Sequence, residues 1–313
     1  MALRLKELHV GMYGAVMGLA GLGLSARAAA TVFPGFLRAP AYFTEPWVAL
    51  GALLLAVLLP LYLLKLFKFP AAVREDFTNP ATLGFCGALP VGMTLVAGGI
   101  APYSALTGNL LWEAGCALLL AFQIWALVRW LSGGIELARL NAGWLIILVG
   151  GIVVPGPGIA LGHIEASRFF FGVSASIAPL LTALLLYRAM VAAPLPEALR
   201  PSWFILLVPP SLIYANGVAL FAFDFLEILY FFGVVLAIAL LVYARNFMRW
   251  PFAPSWWAFT FPLDALAYAA ARYAQGHPSP PWRLVAAAAL AVATLFVVVA
   301  LWKTARSAAS RAA

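Results

Sequence analysis

The sequence predicts an all-α integral membrane protein with ten transmembrane helices. Composition is the first reason, because 65% of the 313 residues are hydrophobic and only 10% are charged, whereas soluble domains carry about 25% charged residues. The second reason is a series of apolar windows, each near the roughly 20 residues that cross a hydrocarbon core. We therefore predict a single transmembrane domain over residues 1–313.

The predicted spans are separated mostly by turn-forming residues, of which the Pro278-Ser279-Pro280-Pro281 run is the clearest. The break near residue 223 is the weakest. The ten spans cover residues 9–30, 47–67, 81–101, 107–130, 141–161, 167–190, 202–222, 225–245, 255–273 and 283–303.

The basic residues indicate an orientation. With both termini in the cytoplasm, fourteen Lys and Arg residues lie on the cytoplasmic side and five on the other, namely Arg27, Arg38, Arg168, Arg272 and Arg283. Cytoplasmic loops are enriched in Lys and Arg, so we predict a multi-pass protein of the cytoplasmic (inner) membrane with both termini inside. The net charge of +8 follows from this topology, and no basic patch indicates nucleic-acid binding.

The first span has a second interpretation. Arg4 and Lys6, an apolar run and then Ala26-Arg27-Ala28 resemble a cleaved signal peptide. The Gly-rich run, the acidic Glu7 and the charge distribution favour a retained first helix.

Helix-breaking residues concentrate in the odd-numbered spans, whereas the even-numbered spans, such as 53–64 and 286–301, are uninterrupted hydrophobic helices. Backbone groups that a proline leaves unpaired are tolerated in a membrane only against protein or water. We therefore predict five helical hairpins, with five inner Gly/Pro-broken helices around a central pore and five outer helices. The alternative is that Gly and Pro are simply common in membrane helices.

The predicted pore is weakly polar, because the centres of the odd spans carry almost no charge. Backbone dipoles, hydroxyls and pore width would then provide selectivity. Candidate pore-lining or helix-kink positions are Gly14, Val16, Gly18, Pro90, Gly92, Gly151, Pro155, Pro209 and Pro262.

The sequence offers nothing for an enzyme or a metalloprotein. The histidines are scattered without metal-ligand spacing, and Cys86 and Cys116 lie in apolar runs. We expect no metal and no cofactor, and no catalytic triad, nucleotide loop or paired-carboxylate motif supports an enzyme.

Residues 256–262, Trp-Trp-Ala-Phe-Thr-Phe-Pro, resemble the signature of the tellurite-resistance/dicarboxylate transporter family, which includes the plant guard-cell slow anion channels. Residues 13–20 are similar to that family's first pore helix, and residues 73–80 to its lead into the third helix. The resemblance covers essentially the whole chain. It implies a homotrimer in which each protomer has its own pore, occluded by a phenylalanine that corresponds to Phe261. Two departures are Val16, where the family commonly has proline, and Asp264.

Phe261 is also a candidate gate on physical grounds. A residue before proline is displaced from α-helical geometry, which would turn the Phe261 side chain toward the pore axis. An apolar ring in a narrow channel raises the barrier to a hydrated ion. The alternative is that Phe261 is one more packed phenylalanine among 22.

Asp264, a possible proton or pH site, has three interpretations. It pairs with Tyr268 or reaches Arg272, it lies protonated because burial disfavours the charged form, or it exchanges protons with a transported acid.

These observations predict an anion channel or channel-like permease for nitrate, chloride or small carboxylates, gated by Phe261. The alternative is a proton-coupled carrier for C4-dicarboxylates such as malate, or an exporter of a tellurite-type oxyanion.

Overall fold

A computed structural model of the chain describes residues 5–35 and 40–310. Three residues of the charge count, Arg4, Arg38 and Arg311, lie outside the described residues. The described part is helical and contains no strand. Its α-helices are α1 (Tyr13–Val32), α2 (Pro40–Phe43), α3 (Glu45–Lys68), α4 (Pro70–Thr78), α5 (Ala88–Ile100), α6 (Ala105–Leu131), α7 (Trp144–Val149), α8 (Pro155–Ala160), α9 (Ile164–Val191), α10 (Val208–Phe221), α11 (Glu227–Tyr243), α12 (Thr260–Gly276) and α13 (Pro280–Ser310).

Eight helical segments in the described ranges are long and apolar enough to cross a membrane, which confirms the all-helical membrane class. The predicted span at 141–161 is instead a shorter apolar unit, Trp144–Ala160, in which α7 and α8 flank a 3-10 turn at Gly150–Ile152. The predicted span at 255–273 corresponds to a 3-10 segment, Pro254–Phe259, followed by α12. Ten membrane crossings therefore stay a prediction.

The helices divide into a buried inner set and an exposed outer set. In the inner segments Val10–Val32, Leu83–Ile100 and Glu197–Phe221, 72%, 89% and 78% of the most apolar window is buried. The corresponding share is 28% for α3 and 33% each for α6 and α9, and it is 22% and 28% for the segments that contain α11 and α13. This alternation along the chain agrees with the predicted hairpins. At the centre, α1 packs against α3, α5 and α12.

Each inner segment contains a 3-10 helix. In the five segments predicted as inner, these are Val10–Met12 before α1, Leu83–Gly87 before α5, Gly150–Ile152 between α7 and α8, Glu197–Leu207 before α10 and Pro254–Phe259 before α12. Pro90, Pro155, Pro209 and Pro262 all stand within the first three residues of the α-helix that follows. Proline is well tolerated there because the N–H groups of a first turn have no intrahelical partner. The prolines thus mark a change of helix type, where the sequence analysis expected broken helix interiors.

The prediction that the even-numbered spans are uninterrupted by helix breakers was wrong. Pro60 lies inside α3 and Pro179 inside α9. Both helices continue past their proline as single elements. Proline alone therefore does not distinguish inner from outer helices here, whereas burial does.

Candidate functional site

Phe261 lies where two cavities meet in the interior of the inner helices. The smaller cavity holds about 40 Å³ and the larger about 330 Å³. We call them the narrow cavity and the chamber. Phe261 and Val153 line both cavities, and the Phe261 side chain is 6% exposed. The ring is therefore part of the wall that separates the two spaces.

A third cavity continues the path beyond the narrow cavity. It holds about 140 Å³ and is lined by His9 and by residues of the turns and 3-10 helices that precede the inner α-helices. It shares Gly11, Phe85, Pro254 and Ser255 with the narrow cavity. The three cavities thus form a series, with Phe261 at the boundary between the narrow cavity and the chamber.

The position of Phe261 follows from the start of α12. The 3-10 segment Pro254–Phe259 ends one residue before this helix, and Phe261 is its second residue. The expected departure from helical geometry before Pro262 is not observed, because α12 includes both residues. Helical geometry in the first turn, together with the small residues that face it, places the ring between the cavities.

Glycines of α1 allow the start of α12 to approach closely. A Cβ atom on Gly18 would lie 2.0 Å from Thr260 Oγ1. A Cβ atom on Gly21 would lie 3.0 Å from both Phe261 Cδ2 and Asp264 Oδ2. Small residues at such interfaces let helix backbones come together in membranes. The glycine-rich first span is thus the surface against which the Phe261 ring rests.

The other predicted positions fall into two groups. Gly14 and Pro262 line the narrow cavity together with Phe261. Val16 and Gly92 face each other, since a Cβ atom on Gly92 would lie 3.2 Å from Val16 Cγ1. Gly151 faces Ser174 and Phe170 of the outer helix α9. The second group lines neither the narrow cavity nor the chamber and lies instead at contacts between helices or at the starts of helices. It consists of Val16, Gly18, Pro90, Gly92, Gly151, Pro155 and Pro209.

The chamber carries polar groups of both charge signs. Arg27 lines it and pairs with Glu45, with Nε–Oε1 and Nη2–Oε2 distances of 3.0 Å and 2.6 Å. The same guanidinium donates to the carbonyl oxygens of Gly98 and Gly99 at 3.3 Å and 2.9 Å. Asn216 lines the chamber too, and its Nδ2 donates to the Ile152 carbonyl at 2.7 Å. Arg27 and its paired carboxylate thus place a polar cluster at the edge of a mostly apolar space.

Two buried acceptors of the chamber have no hydrogen-bond partner among the described residues. One is the carboxyl group of Asp264, whose side chain is 1% exposed and whose two oxygens are both unpaired. The other is Asn216 Oδ1. The predicted pairing of Asp264 with Tyr268 or Arg272 was therefore wrong. Arg272 Nη1 donates instead to Gln275 at 3.3 Å, and Tyr268 lines the chamber beside Asp264 without bonding to it.

Sequence reasoning missed Arg27 and Asn216 as chamber residues. Arg27 entered only the charge count and the signal-peptide interpretation, because it lies near the end of the first span. Asn216 is a single amide in an apolar segment. The signal for Ser25 was present, because Ser25 stands four residues after Gly21 and therefore lies on the same helix face; both residues line the chamber.

A multi-pass helical membrane protein with a series of interior cavities, interrupted by one aromatic ring, has the architecture of a channel or transporter. The family model described as "SLAC1: Voltage-dependent anion channel" matches residues 7–305. The chain belongs to this family, which confirms the resemblance found in the sequence. The members of this family are anion channels and transporters rather than enzymes.

The curated relatives agree with this assignment. S-type anion channel SLAH3 of Arabidopsis thaliana is 28% identical over 302 residues, which cover 94% of this chain and 47% of the plant protein. S-type anion channel SLAH2 of the same plant is 28% identical over 264 residues, or 82% of this chain and 50% of that protein. An uncharacterized transporter of Methanocaldococcus jannaschii, MJ0762, is 27% identical over 241 residues, or 67% of this chain and 70% of the archaeal one. The chain thus spans about half the length of the plant relatives it matches.

Proposed function

We propose that this protein is a channel that passes small anions down their gradient through the three cavities, with Phe261 as the gate. Nitrate, chloride and small carboxylates are the proposed ions. The observation that supports this proposal is the position of the Phe261 ring, which lines both the narrow cavity and the chamber. A side chain at the boundary of two cavities controls passage between them when it moves.

The size of the narrow cavity supports a closed state. A space of about 40 Å³ has room for only a few water molecules, because each needs roughly 10–15 Å³ of cavity volume. Its lining is mostly apolar, with Met17, Val91 and Leu145 among the residues. A hydrated ion must shed water in such a constriction, which raises the barrier to conduction. Motion or removal of the ring joins this space to the chamber.

The test is Phe261→Ala. Removing the ring opens the boundary, so we expect anion current through purified protein in planar bilayers to rise at least several-fold. Anion-substitution measurements on the same bilayers then rank nitrate, chloride and small carboxylates. Because the ring lines two cavities, its truncation should remove fewer packing contacts than truncation of a fully packed phenylalanine, and the midpoint of thermal unfolding in detergent should change less.

Phe259→Ala is the matched control. Phe259 is two residues away and packs in an aromatic cluster, with its ring centroid 4.8 Å from that of Phe204 and 5.2 Å from that of Phe296. Truncation of a packed phenylalanine typically costs about 3–5 kcal/mol, so this variant should be destabilised without a gain in current. If Phe261→Ala behaves like Phe259→Ala, Phe261 is packing and the gate proposal is wrong.

A proton-coupled carrier is the second candidate, and the unpaired Asp264 carboxyl in the chamber favours it. Transmembrane carboxyl groups are frequent members of proton relays. The two candidates differ in vesicles that contain the purified protein. A channel passes anions without a pH gradient, whereas a carrier accumulates them only with one and saturates as the anion concentration rises.

A further inference from the structure

We propose that Asp264 is a proton-binding site of the chamber and that anions enter the chamber when its carboxyl group is neutral. This inference rests on the proposed function, since it adds a second condition for passage to the gate at Phe261. It concerns the charge state of a group beside the ring, whereas the gate concerns the position of the ring itself.

The first observation is the proximity of the carboxyl group to the ring. A Cβ atom on Gly21 would lie 3.0 Å from Asp264 Oδ2 and 3.0 Å from Phe261 Cδ2, so these two atoms are at most 6.0 Å apart. Both residues line the chamber. An anion that passes the ring therefore comes within about one ionic diameter of the carboxyl group.

The second observation is that nothing in the described residues compensates a charge on Asp264. Its two oxygens accept no hydrogen bond and its side chain is 1% exposed. A buried charge without a partner is unfavourable, and burial of a carboxyl group favours its neutral form. Asp264 belongs to the wall of the chamber, which holds about 330 Å³, so the group lies next to space that water and an anion can occupy.

The titratable groups around Asp264 are few and mostly engaged. Arg27 of α1 and Tyr268 of α12 share the chamber, and Arg27 is held by Glu45. Tyr214 of α10 packs against Tyr230 and Tyr273 instead. The charged residues of the other elements packed on α12 lie elsewhere: Glu227 faces His277 at 3.4 Å, Arg200 pairs with Glu197, Lys303 lies over Trp256, and Arg283 and Arg306 stand near the two ends of α13.

The two charge states have opposite effects on an anion. An ionised Asp264 repels an anion about 6 Å away, which at an effective dielectric constant of about 20 lowers occupancy roughly 100-fold. A neutral carboxyl group removes this repulsion and has an O–H that donates a hydrogen bond to the anion. Conduction is therefore high at acid pH and falls as the pH rises and the carboxyl group loses its proton.

The experiment compares wild-type protein with Asp264→Asn in planar bilayers between about pH 5 and pH 8. Asparagine has nearly the same shape and remains neutral, so this variant should conduct equally at every pH in that range and exceed the wild-type current at pH 8 by up to roughly 100-fold. Asp224→Asn is the control, because Asp224 is an exposed acid that lines an outer cavity with His277. Its current should keep the wild-type dependence on pH.

Labelling of the wild-type protein tests the same inference without a variant. Dicyclohexylcarbodiimide modifies protonated carboxyl groups in apolar surroundings, and peptide mass spectrometry locates the label. Asp264 should be labelled increasingly as the pH falls, with the midpoint that the current shows. Wild-type current without pH dependence, an Asp264→Asn current that keeps this dependence or is absent, or no label at Asp264 would each overturn the inference. If the wild-type protein passes no anions at any pH, the proposed function itself has failed.

Discussion

Three glycines of α1 determine how closely α12 approaches α1. Gly14, Gly18 and Gly21 are spaced by four and three residues, so they lie on one face of the helix. Their hypothetical Cβ atoms would meet Trp257, Thr260 and the Phe261–Asp264 pair, respectively. The absence of side chains at these positions of α1 thus determines how closely Phe261 and Asp264 of α12 approach α1.

Gly18 is where this fit is tightest, so Gly18→Ala is a direct test. The added Cβ atom would lie 2.0 Å from Thr260 Oγ1 and 2.6 Å from Thr260 Cβ. Thr260 cannot simply rotate away, because its hydroxyl group donates to the Trp257 carbonyl at 2.8 Å and its Cβ is fixed to the backbone. We expect a loss of about 1–3 kcal/mol, as for other overpacked sites, measured by thermal unfolding in detergent.

Gly172→Ala is the control for helix propensity. Gly172 lies in α9, is exposed, and has nothing within 4 Å of its hypothetical Cβ atom. Alanine is favoured over glycine in a helix interior by roughly 0.5–1 kcal/mol, so this variant should be as stable as wild type or slightly more stable. Equal stability of the two variants would mean that α1 and α12 are not in contact at Gly18.

At the level of single residues, the sequence was informative where a residue belongs to a recognisable motif or departs from it. Phe261 was identified through its motif and Asp264 as a departure from the family, an acid one turn beyond Phe261 in a predicted anion pore, and both line the chamber. The interpretation in which Asp264 pairs with Tyr268 or Arg272 was wrong, because residues that are close along a helix need not be hydrogen-bonded, and both carboxyl oxygens are buried without a partner among the described residues. Arg27 and Asn216 were missed because hydropathy does not say which face of a helix is turned inward.

At the level of elements, the hydropathy windows predicted the helices well, and the spans 47–67 and 107–130 correspond to α3 and α6. The 3-10 helices were not predicted, since proline in a first turn and proline in an interior have the same local sequence signal. The interpretation that proline marks inner helices failed because Pro60 and Pro179 lie in the interiors of two outer helices. Burial, which depends on all the other helices, separates the two sets.

The segment at 141–161 shows that the length of an apolar window does not determine whether the window forms one continuous helix. Its apolar character fits one crossing, yet the chain forms two helices of six residues each, α7 and α8, around the glycine pair at Gly150 and Gly151. A Cβ atom on Gly151 would lie 2.6 Å from the Phe170 carbonyl oxygen. The glycine thus allows the backbone of α9 to approach at the point where the segment changes helix type.

For the whole molecule, we propose a homotrimer with three separate pathways, as the family resemblance implies. In this proposal the narrow cavity, the chamber and the third cavity form one pathway within each protomer. Large apolar side chains such as Leu131 and Leu180 are 88% and 72% exposed on outer helices, where lipid or a neighbouring protomer covers them. Native mass spectrometry in mild detergent should give three copies, and a stable monomer would contradict the assembly.

The topology of the whole chain gives the last prediction, in which both termini lie in the cytoplasm. Two hydrogen bonds join residues that the charge count places on the same side of the membrane. Lys65 Nζ donates to the Leu8 carbonyl at 2.9 Å at the predicted inner end. Gln275 Nε2 donates to the Ala28 carbonyl at 3.2 Å at the predicted outer end. Single cysteines replace Ser132 and Ser310 at the inner end and Tyr103 at the outer end, in protein without the buried Cys86 and Cys116.

A membrane-impermeant maleimide added to intact cells should label Tyr103→Cys and leave Ser132→Cys and Ser310→Cys unlabelled until the cells are opened. Labelling of Ser310→Cys from outside, with Ser132→Cys protected, would mean an odd number of crossings between residues 132 and 310 and a C-terminus outside the cell. Labelling of both serine positions from outside, with Tyr103→Cys protected, would mean that the protein has the opposite orientation in the membrane. The positive-inside rule would then have failed for a chain whose Lys and Arg residues divide fourteen to five.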